Sequence, residues 1–542
     1  MKPWSAEGSD SATPPSEGIF GRHTRVALRT CVAKAVSPLV PRSASALQGF
    51  ASEISEVPSK LDTQHSPGFS HSHTAPRGII SSAMRAPIVL SAFLALLSSA
   101  LAGNWPAWRG PNADGTTPET DLPLQFSATE GVKWKVELPE RGNSTPIVWG
   151  AKIFLTQAIG PRRTVMCLDR ADGHTLWQAG PEWKGEDVTH GTNPYCSSSP
   201  ATDGERVVAW FGSAGLWCWS LDGKEQWHID LGAQKHIWGY AASPVLHGDL
   251  CILNFGPGER SFIVAVNKKT GKEVWRFNVP APEVMEGPGG QPGYAGSWNT
   301  GKITFGHGFR GTSGFITTGP DEFIVALPGG LYDLDPKTGK ENWHCNGLNP
   351  LAYCEPIDGG HITGVMMKWE KEHNVAPTLG AIIAAFGGYG GFSIGVAYSS
   401  GHGDVTDKSR KWQERKNPQR IGSHVADGSI AWLTSEPGII QCIELATGKE
   451  LWKERMTTPA GRANTWSSLV KSGDRIYAVT QNSDVVVFNA SPEKYEQLAV
   501  NSLGVSDGKG GVVSEGITNS SLAVSDGQLF LRTHKHLWCI GK

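Results

Sequence analysis

The strongest constraint on the fold of this chain is a short pattern that occurs five times. Each copy has an apolar run, a turn with Asp or Thr just before a Gly, and a Trp four residues after that Gly. The copies are Cys167–Trp177, Trp219–Trp227, Ala265–Trp275, Asp333–Trp343 and Cys442–Trp452. Gly adopts the positive φ that a tight hairpin requires, and Trp places a large rigid ring at a fixed point. β-Rich units that recur at about 40 to 70 residues predict the blades of a propeller.

The two ends of the repeat array predict how the ring closes. The strand candidate 132–138 carries Trp134 but has no hairpin before it, whereas the final strands, 527–533 and 536–541, lack a closing strand. A ring whose first strand completes the last blade resolves both defects and removes an open sheet edge. We therefore predict an all-β propeller of eight four-stranded blades over 132–542. Seven blades is the alternative, because the fifth unit (359–412) is irregular.

The region before the array predicts export. Residues 1–83 are rich in Ser, Pro, Ala and His, a composition expected to be disordered, and we interpret them as a mis-assigned upstream extension. Met84–Ala102 has a basic residue, an apolar run and the small-residue site Ala100-Leu-Ala102, which is typical of a signal peptide. Asn104 stands where a lipoprotein would have Cys. We expect cleavage near Ala102, a leader at 103–131, no transmembrane segment in the mature chain, and a periplasmic or extracellular location.

Charge and cysteine content narrow the possible partners and cross-links. With 49 Lys and Arg against 51 Asp and Glu, the chain has no basic excess to attract nucleic acid, and we expect a monomer. Cys167, Cys218, Cys442 and Cys539 occupy the same place in four repeats, so we expect buried thiols in four separate blades. Cys345 and Cys354 form the one pair near enough in sequence for a disulfide, and their state is left open.

Polar and aromatic residues precede the inner strands of several blades. If each segment occupies the equivalent place in its blade, these side chains converge on one mouth of the central channel, where closed β folds commonly bind ligands. The candidate ligand-binding residues are His190, Asn193, Tyr195, His236, Trp238, Tyr240, Trp298, Tyr353, Glu355, Arg420, Arg462, Asn464 and Trp466. The residues assigned to structural docking are Gly173, Trp177, Gly223, Trp227, Gly271, Trp275, Gly339, Trp343, Gly448 and Trp452. No catalytic or metal-binding residue is assigned.

The repeated hairpin resembles that of the pyrroloquinoline quinone (PQQ)-like repeat propellers. This family includes the quinoprotein alcohol dehydrogenases and the BamB-type outer-membrane assembly proteins. The segments Trp105–Pro111 and Ser399–Trp412 resemble exported PQQ-like propellers of planctomycete-type bacteria. The resemblance covers roughly residues 104–542 and implies an eight-bladed ring.

Two functions follow from the resemblance. The dehydrogenases hold PQQ with Ca²⁺, and the alcohol dehydrogenases place a disulfide between adjacent cysteines against the cofactor. This chain has no adjacent cysteines and no Cys-x-x-Cys-His haem motif. The sequence therefore favours a non-enzymatic binding or assembly scaffold for a protein or carbohydrate ligand, with no cofactor expected. The alternative is a PQQ- and Ca²⁺-dependent oxidoreductase acting on an alcohol or sugar.

Overall fold

The computed structural model describes residues 103–542, apart from gaps at 237, 257–259, 281–314, 317–321, 349–351, 361–362, 376–381, 389–391, 399–400, 416–418, 460, 462–463, 507–511 and 514. The segment 1–83 and the signal peptide 84–102 lie outside the described residues, so both stay predictions. Within the described part, no helix has the length and apolar character needed to span a membrane.

Eight four-stranded antiparallel blades form the fold. Two early strands are β1 (Thr116–Thr117) and β2 (Val132–Glu137). Blade 1 contains β3 (Ile147–Trp149), β4 (Lys152–Ile159), β5 (Arg162–Asp169) and β6 (Thr175–Ala179). Blade 2 contains β7 (Ala201–Thr202), β8 (Arg206–Trp210), β9 (Leu216–Ser220) and β10 (Glu225–Ile229). Blade 3 contains β11 (Val245–His247), β12 (Leu250–Phe255), β13 (Phe262–Asn267) and β14 (Glu273–Asn278).

Blades 4 to 6 include the fifth unit of the repeat array, which is irregular in sequence but still forms a full blade. Blade 4 contains β15 (Phe315–Ile316), β16 (Phe323–Leu327), β17 (Gly330–Leu334) and β18 (Glu341–Asn346). Blade 5 contains β19 (Ile357–Asp358), β20 (Ile382–Ala385), β21 (Ser393–Ala397) and, after the short β22 (Gly403–Asp404), β23 (Arg410–Glu414). Blade 6 contains β24 (Val425–Asp427), β25 (Ile430–Ser435), β26 (Ile439–Glu444) and β27 (Glu450–Arg455). The eight-blade prediction is confirmed, and the seven-blade alternative is wrong.

The last two blades complete the ring. Blade 7 contains β28 (Val470–Ser472), β29 (Arg475–Val479), β30 (Asp484–Asn489) and β31 (Gln497–Ser502), followed by the two-stranded pair β32 (Val505–Ser506) and β33 (Val512–Val513). Blade 8 joins β34 (Ala523–Ser525), β35 (Gln528–Arg532) and β36 (His536–Ile540) to β2. Helices α1 (Gly364–Glu372) and α2 (Thr406–Ser409) and a 3₁₀ turn at Gly212–Ala214 lie between strands.

The ends of the chain close the ring as the sequence predicts. β2 pairs antiparallel with β36, with Lys135 opposite Trp538 and Glu137 opposite His536. An early strand and the last strand thus share one sheet, which leaves no open edge between the first and last blades.

Tryptophans of the repeat link neighbouring blades. In six of these tryptophans, the indole N–H donates to a backbone carbonyl in the hairpin turn of the next blade. These bonds run from Trp134 to Arg170, Trp177 to Leu221, Trp227 to Lys268, Trp275 to Pro336, Trp412 to Leu445, and Trp452 to Ser491, at 2.7–3.0 Å. The receiving turn needs glycine because the ring lies against it: at Gly223 (φ 82°) a Cβ would lie 2.7 Å from the Trp177 indole.

The joint between blades 4 and 5 is built differently. Trp343 is buried, but its indole nitrogen has no hydrogen-bond partner among the described residues. Instead, β18 pairs in parallel with β22, with Trp343 opposite Gly403. Backbone pairing therefore takes the place of the indole bond at this joint, since the loop of blade 5 is longer than the hairpins of the other blades.

A series of hydroxyl contacts, the hydroxyl belt, links the inner strands near their first residues. The backbone N–H of one blade donates to a Ser or Thr oxygen of the next. The links are Thr145 to Ser199, Ser199 to Ser243, Glu355 to Ser423, Ser423 to Ser468, Ser468 to Ser521, and Ser521 back to Thr145, at 2.8–3.0 Å. The belt satisfies backbone donors that the channel-facing edge would otherwise leave unpaired.

The eight described cysteines are free, buried thiols. Cys167, Cys218 and Cys442 each lie opposite the Trp of their own blade, and Cys539 lies opposite Trp134. These four equivalent positions match the sequence prediction. Cys345 and Cys354 do not pair, because they lie in different packing layers, against blade 4 strands and blade 6 strands respectively.

The leader crosses the centre of the ring, which the sequence did not predict. Trp105 forms an antiparallel bridge with Val148 of blade 1, and β1 pairs in parallel with β28 of blade 7. Between them, Arg109 is buried and donates to the carbonyl oxygens of Leu469 and His424. The leader thus contacts blades 1 and 7 and the segment before blade 6.

Candidate functional site

A cavity of about 440 Å³ lies where the segments before the inner strands converge, and we call it the mouth cavity. Its volume is that of a small-molecule site. Its described lining consists of aromatic rings, amides, hydroxyls and a few other side chains. They are Trp108, Trp238, Tyr353 and Trp466; Asn143, Asn193, Gln419 and Asn519; Thr192, Ser197, Ser199 and Ser243; and His190, Ala241 and Ile421.

Five of the candidate residues line this cavity. His190 and Asn193 reach it from the segment before blade 2, and Trp238 from the segment before blade 3. Tyr353 comes from the segment before blade 5, and Trp466 from that before blade 7. The structure therefore brings together residues as far apart in sequence as His190 and Trp466, which are separated by 276 positions. This convergence is expected when equivalent segments of different blades lie on the same face of the ring.

Two of the aromatic candidates lie behind the lining. The Tyr195 hydroxyl donates to the carbonyl of Asp187, and the Arg163 guanidinium lies 3.9 Å from the Tyr195 ring centre. His236 packs edge-on against Trp238, with ring centres 5.6 Å apart. Their roles are therefore to support the loops that carry the lining residues.

Tyr240 belongs to the packing between blades 2 and 3. It is buried, with its ring centre 4.9 Å from that of Trp210, and burial raises its pKa well above the ordinary value. It does not line the mouth cavity.

The charged candidates also lie outside the lining. Glu355 is buried and forms an ion pair with Arg109 of the leader, at 3.3 Å. Arg420 is buried and lies 3.6 Å from a carboxylate oxygen of Glu414, while it donates to the side chain of Gln441. Arg420 therefore lies outside the described lining, and polar groups of blades 5 and 6 bind its guanidinium.

The remaining candidates divide into one support residue and two that cannot be placed. The carbonyl of Asn464 accepts from the N–H of Gln481, and its side chain does not line the cavity. Trp298 and Arg462 lie outside the described residues.

Several lining residues were missed by sequence reasoning. Trp108 belongs to the leader, and nothing in the repeat pattern indicates that the leader enters the channel. Asn143, Gln419 and Asn519 also precede inner strands, of blades 1, 6 and 8. They lie two to four residues before Thr145, Ser423 and Ser521 of the hydroxyl belt, and this position was the available signal. The sequence prediction included two other amides, Asn193 and Asn464, but not these three.

An amide network holds one side of the cavity. The side-chain N–H groups of Asn143 and Asn519 both donate to the carbonyl of Thr192, at 2.9 and 3.0 Å. Asn193 donates to the carbonyl of Trp238, at 2.6 Å, which ties the blade 2 loop to the blade 3 loop. His190 bonds the hydroxyl of Thr192. These contacts fix the amides of three blades relative to one another before any ligand binds.

Within the described part of the chain, Glu355, Arg109 and Arg420 are buried outside the lining of the cavity. Burial raises the pKa of the Glu355 carboxyl to about 8, although Arg109 acts in the opposite direction. Burial, together with the cations of Arg420 and Arg109, lowers the pKa of His424 well below its ordinary value. His424 is therefore neutral, and its Nδ1 accepts from the N–H of Thr434.

A family model described as outer membrane protein assembly factor BamB, of the PQQ-like repeat type, matches residues 124–258 and 404–541, about half of the chain. The chain belongs to this family of PQQ-like repeat propellers. The family resemblance predicted from the repeats is thereby confirmed.

Quinoprotein dehydrogenases are also similar to this family member. The quinohemoprotein alcohol dehydrogenase ADH-IIG of Pseudomonas putida is 27% identical over 192 residues, which cover 32% of this chain and 25% of the dehydrogenase. The chain thus matches about a quarter of that curated relative. A europium-containing methanol dehydrogenase (TM-score 0.54, 12% identity, 83% of this chain and all of the other) and the quinohemoprotein alcohol dehydrogenase of Comamonas testosteroni (0.54, 12%, 82% of each) share the fold.

The described residues of the mouth cavity do not fit PQQ with Ca²⁺. A tricarboxylate needs basic partners, and Ca²⁺ needs several carboxylate or carbonyl oxygens. The described lining contains no Lys, Arg, Asp or Glu, and the arginines nearest to it are bound to other groups. Within the described part of the chain, no cluster of three or more His, Cys, Asp or Glu side chains has the arrangement of a metal site.

Proposed function

We propose that this chain is an exported, non-enzymatic binding propeller whose mouth cavity holds a neutral carbohydrate. The observation that supports the proposal most directly is the chemistry of the cavity wall. Four aromatic rings face the same space as four amides and four hydroxyls, and the described wall carries no carboxylate, ammonium or guanidinium group.

This combination suits a sugar better than an ion or a purely apolar ligand. Aromatic faces pack on the C–H faces of pyranose rings, and amides and hydroxyls can both donate to and accept from sugar hydroxyls. A charged ligand would lose hydration on entering the cavity without gaining an opposite charge there. A purely apolar ligand would displace water from the polar groups of the wall without replacing the hydrogen bonds made to that water, at a cost of about 1–3 kcal/mol for each group that loses one.

Preorganisation is the second support. Asn143, Asn193 and Asn519 are held by hydrogen bonds to loop carbonyls, and Ser199 and Ser243 belong to the hydroxyl belt. A wall that is ordered before binding avoids part of the entropic cost of ordering side chains around the ligand.

A protein partner is the second candidate ligand, and the family description favours it. On the ring's outside, Leu176 of β6 and Val274 of β14 each precede the docking Trp of their blades and are 41% and 51% exposed. Exposed apolar residues on edge strands are suited to contact with an added strand of another chain. Such a partner would use the outer surface and not the mouth cavity.

The test is calorimetric titration of the purified mature protein with neutral oligosaccharides, with cellohexaose and maltohexaose as the first probes. We expect binding that Trp108→Ala and Trp466→Ala each weaken by about five- to thirtyfold, since each removes about 1–2 kcal/mol of stacking. Trp369→Ala is the control, because Trp369 lies on α1 and does not line the cavity.

The oxidoreductase alternative is tested in the same preparation. Tight uptake of PQQ and Ca²⁺ with dye reduction in the presence of alcohols or aldoses would contradict the proposal. Binding of the oligosaccharides that is unchanged in both tryptophan variants would also contradict it.

A further inference from the structure

Glu436 connects two parts of the mouth cavity that come from different blades. It lies in the turn between β25 and β26 of blade 6. Its N–H donates to the carbonyl of Gln419, at 2.8 Å, and its carboxylate Oε1 accepts from the N–H of Thr465, at 2.9 Å. Gln419 is a lining residue, and Thr465 immediately precedes the lining residue Trp466.

The side chain of Trp466 interacts with the same carboxyl. The indole of Trp466 lowers the pKa of the Glu436 carboxyl, which favours its ionised form. The second carboxylate oxygen of Glu436, Oε2, nevertheless has no hydrogen-bond partner among the described residues. The carboxylate of Glu436 therefore forms a hydrogen bond with the backbone N–H of Thr465, and its interaction with the Trp466 indole is weaker. Contacts to an ionised carboxylate are stronger than contacts to a neutral carboxyl, so protonation of Glu436 weakens its hold on this segment.

We infer that Glu436 is a positioning residue of the mouth cavity, which holds Gln419 and the Thr465–Trp466 segment in the arrangement that binds ligand. It does not line the cavity itself. The inference deepens the function proposed above and rests on it for the ligand, but the placement of Trp466 can be measured without any ligand.

The contacts imply a dependence on pH. Burial raises the pKa of Glu436 to about 7, and the Thr465 N–H and the Trp466 indole act in the opposite direction. No charged side chain of the described residues contributes to this shift. Below pH 7 the carboxyl is protonated and accepts more weakly, so the Trp466 side chain becomes freer to leave its place on the wall.

The ligand-independent test uses ¹⁹F NMR of protein labelled with 5-fluorotryptophan, with the Trp466 resonance assigned by Trp466→Phe. We expect this resonance to shift between pH 5.5 and 8.5 with a midpoint near 7, and the titration to disappear in Glu436→Gln. Glu450→Gln is the matched control, because Glu450 lies exposed on β27 of the same blade. A Trp466 resonance that does not titrate, or that titrates equally in Glu436→Gln, overturns the inference.

The second test measures cellohexaose affinity at pH 8 and pH 5.5. We expect the wild type to bind about fivefold more weakly at pH 5.5, the equivalent of one ordinary hydrogen bond, and Glu436→Gln to bind equally at both. His190 and Tyr353 are ionisable and line the same cavity, and Glu436→Gln separates their effects from that of Glu436. If no neutral oligosaccharide binds, the proposed function fails, while the NMR titration still decides the positioning role.

Discussion

Replacing Arg109 by Met should destabilise the propeller far more than replacing its ion-pair partner Glu355 by Gln. Arg109 donates to three backbone carbonyls, those of Leu469, Asp114 and His424, and the first and last lie in different blades. Methionine removes all three donors and leaves buried carbonyls unpaired. At about 1–1.5 kcal/mol for each bond, the loss is about 3–5 kcal/mol.

Glu355→Gln should cost less than about 1 kcal/mol at pH 7. Burial raises the pKa of the Glu355 carboxyl, so the cost of burying its charge offsets part of its attraction to Arg109. Gln has a similar size and places an amide oxygen beside the same guanidinium, so little net stabilisation is lost.

Thermal unfolding followed by tryptophan fluorescence measures this difference. The roughly 370 described residues correspond to an unfolding entropy of about 0.8 kcal/mol per kelvin, so Arg109→Met should lower Tm by about 5 °C and Glu355→Gln by about 1 °C or less. Equal losses in the two variants would refute the reasoning, since they would mean that the ion pair, and not the bonds to the carbonyls, holds the leader in the channel.

Three further predictions concern other parts of the ring. Trp227→Phe should cost about 1 kcal/mol more than Trp343→Phe in denaturant unfolding, because only Trp227 donates an indole N–H to the next blade; equal costs would count against the docking bond. Thiol titration in denaturant should give the same count with and without prior reduction, since Cys345 and Cys354 are both free; a lower count without reductant would show a disulfide. Burial and a neighbouring glutamate raise the pKa of Asp333 from 3.8 to about 7, so its contribution to stability is present below its unfolded pKa and is lost as pH rises from about 4 to 7. Asp333→Asn should remove that loss, and an unchanged pH profile of stability over this range would contradict the assignment.

The repeat pattern predicted most of the fold, and the reason is physical. A Gly that must adopt positive φ and a Trp that must reach the next blade leave a visible trace in five of the units, and Trp177 and Gly223 show both halves of one such contact. The same logic predicted that β2 would complete blade 8. It did not predict the joint at Trp343, because the parallel pairing of β18 with β22 depends on a loop without a repeat signature.

The candidate site was predicted in part. His190, Asn193, Trp238, Tyr353 and Trp466 converge because equivalent segments of a ring share one face. Glu355 and Arg420 precede the same inner strands, but their side chains are buried against other blades. Sequence position indicates which loop a residue belongs to; it does not indicate whether the side chain points into the channel or between the blades.

By itself, the sequence determined the number of blades, the way the ring closes and the face on which loops of different blades meet, since each of these depends on local contacts repeated at a regular spacing. The tertiary structure decided what occupies the centre of that ring. Arg109 and Trp108 reach the channel through the leader, whose contacts span more than 300 residues of chain, as in the bond from Arg109 to Leu469. Such a contact occurs once and leaves no period in the sequence, so only the assembled ring shows that the wall of the mouth cavity includes an indole from the leader.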